Sequence, residues 1–245
     1  MNVIDYIEKK LAKGRMHFSL LDPDESKMPL SKLEKIVKTV DDYGTDLFLV
    51  GGSTNVGQKF LDDFVRKIKE KSEKPVVLFP GGLNGITRHA DAILFMSLMN
   101  STDPFWIVGA QAKGAPIIKK LGIESIPMAY LIVEPGMKAG QVSSAKPIKH
   151  NEPEKAVEYA LAAQHFGMKL VYLEAGSGAP THVPAKMVKM VKDAVDIPLI
   201  VGGGIRTPDA CKELLDAGAD IIDTGTQIEN DVTKLKSIID VIHEY

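Results

Sequence analysis

The sequence predicts an α/β fold, a single (β/α)8 TIM barrel over residues 1–245 with its third helix missing or reduced to a turn. Three observations carry that expectation. Eight short, nearly continuous apolar runs recur along the 245 residues, the pattern of strands buried on both faces. Amphipathic segments separate most of them, and this alternation specifies parallel strands with right-handed crossovers. The length is that of one eight-unit barrel, and eight units favour closure over an open, doubly wound sheet.

Taken in order, the apolar runs fall at 16–21, 47–50, 76–79, 92–98, 126–133, 170–174, 199–201 and 221–224. A helical apolar period covers the N-terminal stretch MNVIDYIEKKLAKGR. Further amphipathic segments follow at 30–43, 58–71, 103–121, 153–166, 184–194 and 208–217, with a closing helix near 232–244. Thr207 and Pro208 form a start signal, a cap residue followed by the imino acid favoured in a first helical turn. The rhythm breaks twice. Between Phe79 and Ala92 lies PGGLNGITRHAD, too short and too glycine-rich for a loop plus a full helix. After the fifth strand, EPGMKAGQVSSAKPIKHN makes a long polar loop on the face where barrel loops carry function.

Composition narrows the class. The chain is 44% hydrophobic and 25% charged, with net charge −2. It has no basic footprint for nucleic acid. The single Cys211 excludes an intrachain disulfide and fits a reducing compartment. The N-terminus lacks the uncharged core of a signal peptide, and no apolar run approaches the roughly 18 residues of a membrane span. A cytoplasmic, enzyme-sized domain is the expectation.

The most informative stretch is IPLIVGGGIRTPDACKELLDAGADIIDTGT, residues 197–226. It reads strand, triple glycine (Gly202, Gly203, Gly204), helix, strand, and a second glycine turn at Thr224, Gly225 and Thr226. Two glycine-bearing loops after successive parallel strands can aim several backbone N–H groups at one point, as the last two loops of a barrel do around a phosphate. One loop earlier, YLEAGSG (residues 172–178) sets Glu174 inside a glycine-rich turn. Glu174 is expected beside a bound phosphate ester rather than on it, since two anions repel. That placement suits a general base acting on a nearby hydroxyl. Across the mouth, Asp22 ends the first strand and Ser53 follows the second. A carboxylate and a hydroxyl are hard ligands suited to Mg2+, which keeps waters or substrate phosphates in its shell. The rim therefore has two anion sites, one lined by backbone for a monoester and one metal-assisted for a diphosphate.

Other polar residues near the strand ends read as structural: Asp24 as a loop cap and Asp223, though within reach of the rim, as a strand-end support. The six histidines show no metal spacing. His182 is the one near the site, and Arg206 reaches either phosphate or a salt bridge.

These strings resemble the geranylgeranylglyceryl phosphate synthase family and its bacterial heptaprenylglyceryl phosphate synthase relatives. The resemblance spans essentially the whole chain and rests on LLDPDE (20–25), VGGSTN (50–55), LFPGG (78–82), YLEAGSG (172–178), VGGGIR (201–206) and DTGT (223–226). It implies a prenyltransferase: the 3-hydroxyl of sn-glycerol 1-phosphate attacks carbon one of geranylgeranyl diphosphate and releases diphosphate. By resemblance, Asp22 and Ser53 are the Mg2+ positions. Tyr172, Leu173, Glu174, Ala175, Gly176, Ser177, Gly178, Gly203, Gly204, Gly225 and Thr226 form the glycerol phosphate site, with Glu174 on the attacking hydroxyl. Bacterial relatives carry lysine where this chain has Leu20, which points to the archaeal-type subgroup. The resemblance also implies a homo-oligomer, dimer or hexamer, and transient membrane-surface contact for product release. A barrel lacking a regular third helix is a family trait too. That gap is the expected bed for the prenyl chain, with Phe95, Met96, Met99, Phe105, Trp106 and Tyr130 as candidate liners. The rival readings are a phosphosugar isomerase or aldolase, the latter disfavoured because no lysine ends a strand, and a non-catalytic phosphate-ligand binder.

Overall fold

The computed structural model describes residues 2–52, 56–225, 228 and 231–245. Eight parallel strands close in sequence order: β1 (Met16–Leu21), β2 (Leu47–Gly51), β3 (Val76–Phe79), β4 (Ala92–Leu98), β5 (Glu124–Ile132), β6 (Leu170–Glu174), β7 (Leu199–Gly202) and β8 (Ile221–Thr224). β8 pairs back onto β1, with Phe18 opposite Asp223. Side chains alternate across each strand. One set, including Phe18, Leu49, Leu94, Met128, Tyr172 and Ile221, fills the barrel. The other set packs outward against the helices, as Val171, Val201 and Ile222 do.

The helices follow the predicted order. α1 (Val3–Leu11) precedes the barrel, and Val3 and Ile7 join the interior cluster, closing the end opposite the strand C-termini. β5 begins at Glu124, two residues before its expected start, and that carboxylate accepts the N–H groups of Val3 (2.5 Å) and Ile4 (3.0 Å). The outer ring continues with α2 (Leu30–Asp42), α3 (Gln58–Lys71), α4 (Ala110–Leu121), α6 (Pro153–His165), α7 (Ala185–Ala194), α8 (Pro208–Asp216) and α9 (Leu235–Ile242), while α5 (Met137–Val142) lies in the loop after β5. Thr207 caps α8 as expected, accepting the Ala210 N–H at 3.2 Å.

Between β3 and β4 the ring carries a single 3₁₀ turn, Leu83–Gly85, in place of a helix. The expected helix 103–121 opens as a wide π turn, Phe105–Gly109, that runs directly into α4. The polar loop after β5 holds the short α5, and is tied down by bridges joining Ser101 to Ala145 and Val133 to Ile148.

Candidate active site at the barrel mouth

The triple glycine is carved to fit side chains and backbone of the neighbouring β6 loop. A Cβ on Gly202 would lie 2.0 Å from the Tyr172 hydroxyl. On Gly203 it would lie 2.6 Å from both Glu174 Oε1 and the Gly176 nitrogen, and on Gly204 2.3 Å from the Thr181 carbonyl oxygen. Gly203 and Gly204 also adopt φ of +83° and +72°, which costs glycine little and other residues far more. Among the described residues, no protein acceptor takes the N–H groups of Gly203, Gly204 or Gly225. A small cleft of about 40 Å³ opens over them, walled by Leu20, Glu174, Ser177, Asp223 and the glycine loops. Unpaired N–H groups converging on such a cleft are donors for an anion.

Glu174 and its neighbours form a polar layer at the top of the barrel interior. Glu174 is 6% exposed. Its Oε1 accepts the Gly176 N–H at 2.6 Å and its Oε2 the Tyr130 hydroxyl at 3.1 Å. Tyr172 donates to Asp223 Oδ2 at 2.6 Å. The two tyrosine rings meet edge to face at 5.2 Å, and Phe79 packs on both. Burial pushes the Glu174 carboxyl above its ordinary range, opposed by the hydrogen bonds from Gly176 and Tyr130. That is the direction a general base needs to work nearer neutrality. Burial pushes Asp223 up to about 8, with the Glu174 charge adding to the rise and the Tyr172 hydroxyl resisting it.

Across the mouth, Asp22 Oδ1 is buried without a hydrogen-bond partner among the described residues. The Asp22 carboxylate faces Gly52, whose absent Cβ would lie 3.8 Å from it. Ser53, the second expected metal ligand, lies outside the described residues, as does Thr226 of the phosphate site. Among the described residues, no group of three or more His, Cys, Asp or Glu side chains could hold a metal ion. A lone carboxylate with an unpartnered oxygen fits Mg2+, which is commonly held by one or two carboxylates and completed by substrate phosphates.

The remaining candidates resolve as follows. Asp24 caps its loop by accepting the Ser26 N–H and hydroxyl. Arg206 lines the cleft, but its guanidinium donates to the carbonyls of Pro180 and Gly178, stapling the β6 loop to the β7 loop. Among the described residues it forms no salt bridge. His182 bonds the Val183 carbonyl at 2.8 Å and faces Glu213 at 3.6 Å.

A second, apolar cavity of about 280 Å³ runs outward from Asp22 and Glu174. Leu83 and Ile86 of the 3₁₀ segment line it with Gly114 and Ile118 of α4, so the reduced third helix does open a groove. Phe95, Met96, Trp106 and Tyr130 line it as expected. Met99 and Phe105 do not: Met99 packs against the core on the β5–β7 side, and Phe105 turns against Trp106 and under Lys113. Sequence reasoning missed Lys138 and Ala139 of α5 and Lys27, all of which line the groove. Leu20, Glu174 and Ser177 wall both cavities.

A closed parallel barrel whose glycine cradle and apolar groove meet at one buried carboxylate defines a class: phosphate-binding (β/α)8 barrels built for an amphiphilic reaction. The model of the PcrB family matches residues 6–244, and the chain belongs to that family. It is 54% identical over 224 residues to the geranylgeranylglyceryl phosphate synthase of Pyrococcus horikoshii, covering 91% of this chain and 87% of that one. With the enzyme of the same name from Thermococcus sibiricus it shares 52% identity over 248 residues, covering 99% and 96%. The crystal structure of (S)-3-O-geranylgeranylglyceryl phosphate synthase from Thermoplasma acidophilum, in complex with sn-glycerol-1-phosphate, superposes with a TM-score of 0.95 at 44% identity, covering 100% of both chains. A thiamine phosphate pyrophosphorylase from Pyrococcus furiosus, at 15% identity and TM-score 0.60, shares the fold alone.

Proposed function

We propose that this chain is a geranylgeranylglyceryl phosphate synthase, alkylating the 3-hydroxyl of sn-glycerol 1-phosphate with geranylgeranyl diphosphate. The observation that carries this reading is the shared wall: Glu174 borders both the anion cleft and the apolar groove. A phosphate seated on the N–H groups of Gly203, Gly204 and Gly225 leaves the far end of a glycerol unit at Glu174. A prenyl chain laid along the groove brings its first carbon to the same residue from the other side.

Glu174 accepts the proton of the 3-hydroxyl as the oxygen–carbon bond forms. The bond from carbon one to the diphosphate breaks in the same passage, and the leaving group takes its electron pair. Tyr130 holds Oε2, so Glu174 meets the hydroxyl through a fixed carboxylate. Asp22 and Ser53 are the residues that would hold Mg2+, which supplies charge neutralisation for the departing diphosphate. Lys27 and Lys138 line the same groove and offer ammonium groups to that diphosphate. The groove excludes water from an allylic centre as its charge develops. Burial at about 0.8 kcal/mol per CH2 holds the chain there.

The test is direct incubation with Mg2+, labelled sn-glycerol 1-phosphate and prenyl diphosphates of several lengths. An ether product is expected, best with twenty carbons; no ether with any length sinks the proposal. The oligomer, dimer or hexamer, is tested by sedimentation velocity. Among the described residues no helix is long and apolar enough to cross a membrane, and product hand-over to a membrane surface is part of the proposed reading.

A further inference from the structure

Asp223 has a role beyond strand-end support. It stands 4% exposed on the interior face of β8 and lines the anion cleft with Glu174. Its Oδ2 takes the Tyr172 hydroxyl, while its Oδ1 is buried and has no partner among the described residues. Among the described residues, its surroundings offer it no cation. From β6 it faces Tyr172 and Glu174, from β5 Tyr130, and from β1 Phe18 and Leu20. Arg206, at the cleft rim, is the one basic side chain lining the cleft among the described residues, and its guanidinium is engaged by two carbonyls. Two buried carboxylates without a counter-ion do not both ionise readily, and a phosphate dianion brought beside them would be a third negative group. Glu174 is held by two donors, one a backbone N–H at 2.6 Å, which favour its ionised form. The proton of the pair therefore belongs on Asp223.

We propose that Asp223 is a positioning residue that enters the reaction as the neutral acid, its carboxyl O–H donating to the glycerol phosphate in the cleft. The proton turns a group that would repel the ester into one that holds it, and leaves Glu174 as the ionised member. Burial, which lifts Asp223 to about 8, keeps that proton in place at neutral pH. This assignment rests on the proposed substrate, and the experiment separates the two.

Calorimetric titration of sn-glycerol 1-phosphate into wild type, Asp223→Asn and Asp223→Ala is run from pH 7 to 9.5, a range in which the ester is already a dianion. Wild-type Kd is expected to rise by about tenfold across it, because ionising Asp223 replaces a donor by a like charge. Asparagine cannot ionise, yet it keeps an acceptor for Tyr172 and an N–H for the ligand. Its Kd should lie within about threefold of wild type at pH 7 and stay flat to pH 9.5. Alanine should bind about tenfold more weakly throughout, the cost of one lost hydrogen bond to a charged group. An Asn variant that retains the alkaline rise overturns the assignment, as does one that loses binding while melting at the wild-type temperature. Wild type that fails to bind the ester at any pH overturns the proposed function and this assignment with it.

Discussion

The two sides of the barrel mouth are shaped by opposite deletions. On the β6–β8 side, side chains are missing: Gly202, Gly203 and Gly204 have no Cβ because Tyr172, Glu174 and the Thr181 backbone occupy that space. On the β3–β4 side a helix is missing, and a 3₁₀ turn of Leu83–Gly85 leaves the groove open against α4. The first deletion works at the scale of an atom and brings polar groups into contact. The second works at the scale of a helix and leaves apolar surface for a chain. A small anion needs donors at fixed positions, whereas a hydrocarbon tail needs only area, so the two sides should differ sharply in their tolerance of change.

The largest effect should come from the carboxylate common to both. Glu174→Gln is expected to lower turnover by about 10²- to 10⁴-fold, the usual range for removing a general base, while calorimetry still detects sn-glycerol 1-phosphate. Retained turnover would show that Glu174 is not the base. Next, Asp22→Ala should reduce kcat/KM for the prenyl diphosphate by roughly two to three orders of magnitude, several kcal/mol of charge stabilisation, at unchanged binding of glycerol phosphate. If that binding fell as well, the division of the mouth into two anion sites would be lost.

Gly203→Ala tests the glycine side. The new methyl would meet Glu174 Oε1 and the Gly176 nitrogen at 2.6 Å and strain a positive φ by about 1–3 kcal/mol. Thermal unfolding should drop, and affinity for glycerol phosphate should fall by roughly one to two orders of magnitude as donors to a charged ligand are displaced. On the groove side, a Cβ on Gly114 would find only ordinary contacts, 3.6 Å to Leu83 and 3.8 Å to Ile86. Gly114→Ala should therefore be almost silent. Gly114→Leu should displace about two methylenes of prenyl chain, a loss of roughly tenfold in KM for the twenty-carbon substrate, and leave glycerol phosphate binding untouched. Equal damage from the alanine substitutions at 203 and 114 would refute the contrast.

Much of this was legible in the chain because it is local. Continuous apolar runs located all eight strands, and the density of glycine between Phe79 and Ala92 exposed the reduced helix. YLEAGSG and VGGGIR pointed to the glycine-lined cleft because a glycine string needs no tertiary partner to be noticed. What stayed hidden depends on which residues meet across the barrel. Tyr130 reads as another buried aromatic of β5, and only the register that sets Tyr130 opposite Tyr172 brings its hydroxyl to Glu174. Asp223 reads as strand-end support until β8 closes on β1 and turns it inward. Lys138 sits in a polar loop whose fold onto the groove no periodicity encodes. Met99 and Phe105 share the composition of true liners and differ from them only in direction.

The wall of Leu20, Glu174 and Ser177 has a consequence for turnover. On the proposed reaction, the product keeps its phosphate in the cleft and its tail in the groove, now joined by a covalent bond. It is held as two tethered ligands, each raising the effective concentration of the other. Its departure is then slower than that of either substrate, and an acceptor for lipid, not the chemistry at Glu174, sets the steady-state pace.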